Sequence, residues 1–225
     1  MKPISLPILA VVIIMIISCS GGRKVHSGEY SGSRIDKADV QVEAYLFDVK
    51  LRRQGKPTTI RLDLYQTDSV IAMYGRGYFN KGAFTGRLTA DSMLVCFPST
   101  KEFLHESIEN LFLSFDCESE LIGINLLSYF IKSPDSAHSL QNLLVELIEE
   151  DPDRRIVKVS SKNCPWRLIL DYAMEEKGWR IRNFEFDDGG EVTLRGSQRR
   201  YKLGASVPAT RFRIIIPNDS KKITL

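Results

Sequence analysis

From Val40 the chain alternates apolar and polar positions. Val40, Val42, Ala44 and Leu46 fall on one face, with Gln41, Glu43 and Tyr45 opposite. At Leu46-Phe47 the phase changes, and Phe47, Val49 and Leu51 take over the apolar set. A two-residue period that slips by one predicts a strand with a bulge. Gln54-Gly55-Lys56-Pro57 supplies turn chemistry, and Ile60, Leu62 and Leu64 then alternate with Arg61, Asp63 and Tyr65 as a half-buried strand. After a turn at Thr67-Asp68-Ser69 the pattern resumes at Val70, Ala72 and Tyr74, and glycines punctuate short strands up to Leu88. Met93, Val95 and Phe97 make the next strand, ending at Pro98. The first hundred residues therefore predict an antiparallel meander with one wet face.

At Ser99 the period changes. Ser99-Thr100-Lys101-Glu102 has the form of a capping box, and Phe103, Ile108, Leu111, Phe112 and Phe115 follow at helical spacing. Leu121 to Ile131 is apolar nearly all round, which for a helix demands cover on more than one side. Ser133-Pro134 opens a third predicted helix with proline at its first position. Its stripe is Ala137, Leu140, Leu143, Leu144, Leu147 and Ile148. Glu149, Glu150 and Asp151 crowd its C-terminus against the helix dipole.

Strands return after Asp153. Ile156, Val157 and Val159 precede the clearest alternation in the chain, Trp166, Leu168, Leu170 and Tyr172. A turn at Glu175–Gly178 leads to Trp179, Ile181, Phe184 and Phe186, and Asp187-Asp188-Gly189-Gly190 is a hairpin signal. Val192 and Leu194 start the return strand, which Tyr201 and Leu203 prolong and Val207-Pro208 breaks. Phe212, Ile214 and Ile216 predict another strand, Pro217–Ser220 a turn, and Ile223-Thr224-Leu225 closes the chain. The order is strands, two or three helices, then strands, an α+β pattern.

The amino terminus is of another kind. Lys2 precedes a hydrophobic run of about fourteen residues beginning at Ile4, short of the roughly 20 a spanning helix needs. The run ends at Ile16-Ile17-Ser18-Cys19, with Ser20-Gly21-Gly22 beyond it. That is the layout of a secretory signal. Its last four residues resemble the lipobox of bacterial lipoproteins, with a branched apolar residue, a tolerant position and a small residue before the cysteine. The resemblance implies removal of residues 1–18, acylation of Cys19 and attachment of the protein to a membrane through it. The alternative is an ordinary signal peptide with a chance cysteine. Residues 19–38 form a polar, glycine- and serine-bearing tether. Ser20 is not the aspartate that holds lipoproteins at the inner membrane in some enterobacteria, which favours the outer membrane, facing the periplasm.

Composition narrows the chemistry. Roughly 185 residues remain beyond the tether, enough for one domain with a substantial core. The formal charge of +3 is scattered and makes no case for nucleic acid. Beyond Cys19, Cys96, Cys117 and Cys164 show no metal-binding spacing, and they form at most one disulfide or serve as buried thiols. There is no GxSxG, HExxH, P-loop or dinucleotide fingerprint. His26, His105 and His138 lie on the tether and on two predicted helices, and the acidic clusters lack calcium-loop spacing. We expect no enzyme, no metal and no cofactor.

Two passages carry a likeness to a family. One is Met93-Leu94-Val95-Cys96-Phe97-Pro98-Ser99-Thr100-Lys101-Glu102-Phe103, a strand running through proline into a helix. The other is Val207-Pro208-Ala209-Thr210-Arg211-Phe212-Arg213-Ile214, an apolar-proline step into an alternating strand. With the lipobox and the helical middle, residues 39–225 resemble the Lol outer-membrane lipoprotein carriers, the LolB-like proteins more than the LolA-like ones. The resemblance implies an incomplete antiparallel β-barrel whose concave apolar face, covered by two or three helices, holds lipid or lipoprotein acyl chains. The lining would be Ile60, Leu62, Leu64, Met93, Val95, Phe97, Trp166, Leu168 and Leu170. The lid would be the segment bearing Leu121, Ile124, Leu127 and Phe130. The polar group that holds the lid in such carriers and the exposed apolar loop tip of LolB-like proteins have no match here. The same alternating face is also what a plain packed core requires. A structural or assembly lipoprotein acting through an envelope protein partner is then the other expectation.

Overall fold

The structure, a computed structural model, describes residues 39–77, 81–89, 91–107, 143–161, 165–176 and 178–224. The signal segment, Cys19, the tether, Cys117, Cys164 and the expected lid lie outside these residues. Twelve strands form one sheet: β1 (Asp39–Arg53), β2 (Lys56–Gln66), β3 (Val70–Arg76), β4 (Gly82–Thr89), β5 (Ser92–Phe97), β6 (Glu102–Ser107), β7 (Leu143–Glu150), β8 (Arg154–Ser161), β9 (Arg167–Glu175), β10 (Gly178–Asp187), β11 (Val192–Pro208) and β12 (Lys221–Ile223). Their spatial order is β12-β6-β5-β4-β3-β2-β1-β11-β10-β9-β8-β7. The sheet is large, curved and unclosed, as the family resemblance implies. Two meanders, β1–β6 and β7–β11, meet along the long antiparallel pair of β1 and β11. Residues 108–142 thus connect strands that stand towards opposite flanks of the sheet.

Alternation explains most of this order, and one apparent exception is instructive. β1 pairs with β2 without interruption from Glu43↔Gln66 to Arg53↔Lys56. Against β11 its register slips twice, between Val42 and Ala44 and between Leu46 and Phe47. The second slip is at the position the hydrophobic pattern predicts, but the additional residue, Arg199, belongs to β11. Glu43, Tyr45, Phe47, Val49 and Leu51 therefore share one face throughout. The phase change arises because Val42, on the other face, is buried too.

Four expectations are corrected. Among the described residues there is no α-helix, so the helices expected over the concave face are not seen there. The capping box at Ser99 is instead the turn of the β5–β6 hairpin, with Lys101 left-handed at φ 57° and the Thr100 amide donating to the Phe97 carbonyl. Phe103 and His105 are then strand residues of β6, between β5 and β12, and this pairing overrides the local capping signal. The end of the third predicted helix is β7, whose Val145 and Leu147 stand opposite Val159 and Val157 of β8. The acids that would oppose a helix dipole pair across the hairpin instead, Glu149 with Arg154 and Glu150 with Arg155. The strand expected at Phe212–Ile216 is a 3-10 turn, Ala209–Phe212, followed by an extended strap without ladder partners. Of the two passages that carry the family likeness, the first keeps its strand, β5, but not the helix after it, and the second lacks the strand read into it.

The strap keeps its alternation because it lies on the sheet. Phe212, Ile214 and Ile216 are half-buried while Arg213 and Ile215 are exposed. Arg211 stacks over Tyr65 and Tyr74, at 5.7 and 5.3 Å, and its carbonyl accepts from the Tyr74 hydroxyl. Both tyrosines are on the face opposite Leu64 and Met73, so the strap crosses the outer surface. It ends as β12, parallel to β6.

Curvature has a local cause. Gly75 stands opposite Phe84, and Gly196 opposite Phe184. A Cβ on either glycine would come within 2.0 or 2.1 Å of the facing ring. Each phenyl therefore lies across the strand pair in the space a side chain would take, a device that lets a sheet bend sharply towards that face. Gly196→Ala should lower stability by about 1–3 kcal/mol through overpacking. Combined with Phe184→Leu the loss should be clearly less than additive. Urea unfolding of the four proteins checks this, and additive losses would show that the ring does not rest on the glycine.

Candidate functional site: an apolar inner face with an arginine and aromatic rim

The nine expected lining residues come together. Ile60, Leu62, Met93, Val95, Phe97 and Leu170 belong to one buried hydrophobic cluster, and Leu64, Trp166 and Leu168 pack against it partly buried. The strands force this, because each residue shares its strand's inward parity. The cluster also takes Phe47, Val49, Val157, Phe184, Phe186 and Leu194, so the inner face is continuous from β6 to β8. Phe47 and Phe184, on β1 and β10, meet edge to face at 5.5 Å. The lid positions Leu121, Ile124, Leu127 and Phe130 lie outside the described residues.

The outer face is its chemical opposite. Every adjacent strand pair from β7 to β3 is crossed by an ion pair. Lys158 meets Glu146, Arg154 meets Asp171, Arg167 meets Asp187 and Arg195 meets Glu185. Asp48 takes both Arg199 and Arg61, and Arg76 meets Asp63. Exposed pairs of this kind stabilise little, about 0–1 kcal/mol each. What they establish is that this surface stays in water while the apolar side chains turn inward.

One end of the inner face is polar, and this the sequence reading missed. Arg180 donates to the Tyr201 hydroxyl at 2.7 Å and to the Trp179 carbonyl at 2.8 Å, and it pairs with Glu43 at 3.2 Å. Tyr45 donates to Glu43 at 2.7 Å, and its ring lies 5.0 Å from that of Tyr201. Nearby on β8, Arg155 stacks 4.5 Å over Trp179 and pairs with Glu150 at 2.6 Å. Each guanidinium is thus largely buried, laid on an aromatic ring and matched by one carboxylate. Leu64, opposite Tyr45, is at this same end. Trp166 and Leu168 are at the far end, beside Asp187 and Phe186. The missed signal was parity: Glu43 and Tyr45 share the face of Phe47, and Arg155 that of Val157.

Burial, then the hydrogen bond to Glu43, pushes the Tyr45 hydroxyl well above its ordinary value, and burial also raises Tyr201. Burial works against the charge of Arg180, but the Tyr201 hydrogen bond and the Glu43 carboxylate outweigh it and hold its pKa above the ordinary value. Nothing here is arranged as a nucleophile beside a base. Cys96 is a free, buried thiol on the outer side of β5, and burial raises its pKa. Among the described residues no group of His, Cys, Asp or Glu could hold a metal ion.

No family model matches the chain, and no curated protein sequence is similar to it. Solved structures resemble it distantly. A conserved protein of unknown function from Thermus thermophilus is 9% identical, with a TM-score of 0.44, over 81% of this chain and 90% of that one. A domain described as an outer membrane lipoprotein-sorting protein, from Vibrio parahaemolyticus, is 9% identical, with a TM-score of 0.39, over 76% and 89%. A DUF1329 family protein from Desulfovibrio piger is 11% identical, with a TM-score of 0.38, over 91% and 94%. At these TM-scores none of the three carries a function to this chain.

The tyrosine network has a pH signature. A phenol whose pKa is raised by folding stabilises the fold fully below its unfolded value of 10.0, and that contribution is lost as pH rises beyond it. Unfolding free energy should therefore fall as pH climbs above 10, and Tyr45→Phe should flatten part of that fall. Denaturant titrations between pH 8 and 11, an interval of about three units, check it. An unchanged slope in the variant would remove Tyr45 from the network.

Proposed function

We propose that this chain is a lipid-anchored protein of the bacterial envelope that holds or receives acyl chains on the inner face of its sheet. One observation supports this best: an open, curved sheet gathers a continuous apolar surface on one side only, with an ion-paired surface on the other. A strongly curved sheet of this many strands encloses more apolar face than its strands alone pair off. Acyl chains would lie along Leu62, Val95 and Leu170, and the rim of Arg180, Tyr201, Trp179 and Arg155 would meet their polar end. Because Glu43 and Glu150 already match both guanidinium charges, the rim suits a hydrogen-bonding ester or glycerol head better than a bare anion. The reading includes acylation of Cys19, an outer-membrane position facing the periplasm, and a part in lipoprotein localisation. It involves no enzymatic chemistry.

One observation favours the other reading. Ile60, Leu62, Met93, Val95, Phe97 and Leu170 are each 2% exposed or less, as in a filled core. On that reading the protein is a structural or assembly lipoprotein that works through an envelope protein partner.

Leu62, one of the buried positions of the face, discriminates. In the carrier, Leu62→Lys should leave the unfolding free energy within about 1 kcal/mol of the parent and abolish displaceable binding of a hydrophobic dye. In a filled core the buried charge should cost several kcal/mol. Mass spectrometry of an organic extract of the purified protein should find bound lipid, and repeated extracts free of lipid would sink the carrier reading. Separately, Cys19→Ser should eliminate palmitate labelling and release the protein from membranes, and continued labelling would remove the anchor.

A further inference from the structure

A curved sheet stands furthest forward, on its convex side, along its middle strands. Here those are β1 and β11, so their outward residues form the crest of the outer face. That crest is basic. Pairing places Lys50 beside Arg195, Arg52 beside Thr193, Arg200 beside Leu46 and Lys202 beside Ala44, all on the side of Asp48. Lys50, Arg52, Arg200 and Lys202 are exposed, and among the described residues none of them meets a carboxylate. The carboxylates of the crest are already taken. Asp48 holds both Arg199 at 2.6 Å and Arg61 at 3.8 Å, and Glu185 of β10 holds Arg195 at 2.9 Å. Glu191 lies beyond the end of the strip, in the β10–β11 turn. Towards the β7 flank the charges match one to one instead, Lys158 with Glu146 and Arg167 with Asp187. From Ala44 to Arg52 the basic strip runs roughly 25 Å, at about 3.3 Å per residue. The exposed large apolar side chains among the described residues, Leu144, Leu147, Ile148, Met174 and Ile215, all lie elsewhere.

We infer that the crest of β1 and β11 is a docking surface for a membrane whose headgroups are anionic phospholipid. The chemistry favours headgroups over a protein partner. Protein interfaces centre on aromatic or other apolar anchors and are poor in lysine, and this crest has no such anchor. A charged headgroup layer asks only for cations within reach, each of which adds to adsorption. That layer is wet, so the charges keep their water, and a convex crest can rest on a flat surface. The chain that precedes the domain also ends close by. β1 opens at Asp39, directly after the tether of residues 19–38. A flexible tether of that length spans roughly 25 Å on average. The anchor proposed at Cys19, on which this inference rests, therefore holds the crest near the bilayer at high effective concentration. The domain then lies with its inner apolar face turned away from the membrane.

The full-length chain is reconstituted into lipid nanodiscs of phosphatidylcholine alone, or of phosphatidylcholine mixed with phosphatidylglycerol. Its lysines are then labelled with an amine-reactive ester and read by mass spectrometry. Lys50 and Lys202 should label roughly fivefold more slowly on the anionic discs, and added salt should remove the difference. Lys221, exposed at the β6 flank of the sheet, should label equally on both. Arg52→Glu combined with Arg200→Glu, both at exposed positions, keeps the two reporting lysines and should abolish their protection. Protection that persists in that variant, or in high salt, overturns the inference. Lys50 and Lys202 equally open on both discs overturn it too, and leave the strip to an acidic protein. Failure of the anchor reads differently. A chain that joins only the anionic discs loses the anchor and keeps the docking surface, and one that joins neither loses both.

Discussion

The phenyl rings of Phe84 and Phe184, each lying across a strand pair onto a glycine, set the terms for the rest of the molecule. A sheet this wide with one apolar face must turn that face in upon itself or expose it. At Gly75 and Gly196 the missing side chain makes room for the ring, and the strands can bend inward there. There is one such contact in each meander, between β3 and β4 and between β10 and β11, with β2 and β1 lying between them. β1 and β11 are the longest strands, and their pairing joins the halves. Bulges on the β11 side of that pairing add twist without disturbing the face that β1 presents to the interior.

Once the sheet is bent, the two faces separate chemically. Inward positions collect large apolar side chains, and outward positions collect alternating charges that pair from strand to strand. The ion pairs add little stability one by one, but they make the outer surface a costly one to bury. On the outer face Val42, Ala72 and Cys96 are buried as well, and the C-terminal strap crosses that side, held on Tyr65 and Tyr74. At the end of the inner face where Arg180 and Arg155 lie on tyrosine and tryptophan, the two chemistries meet.

The strap shows how one sequence pattern serves different structures. Phe212, Ile214 and Ile216 alternate as a strand would, and the alternation is real, since those side chains face the sheet. Yet the segment has no ladder partners, because it lies across the strands and not beside them. Periodicity reports which side of an extended chain is covered and is silent about whether the cover is a neighbouring strand or a surface beneath.

The sequence by itself determined β1 to β5 and β8 to β11, most of their turns and the inward set from Ile60 to Leu170. Those depend on a period of two and on turn residues, which are local properties. The tertiary structure alone decided what Ser99–Ser107 and Leu143–Glu150 would be. Their helical signals, a capping box and a stripe of leucines, are equally local, but pairing with β5 and β8 packs Leu104 and Val145 against the interior. Of the arginine and aromatic rim, parity along the chain showed only that Glu43, Tyr45 and Arg155 face inward. Glu43, Tyr45, Arg155, Arg180 and Tyr201 come from β1, β8, β10 and β11, and only the curl of the sheet brings them to one end.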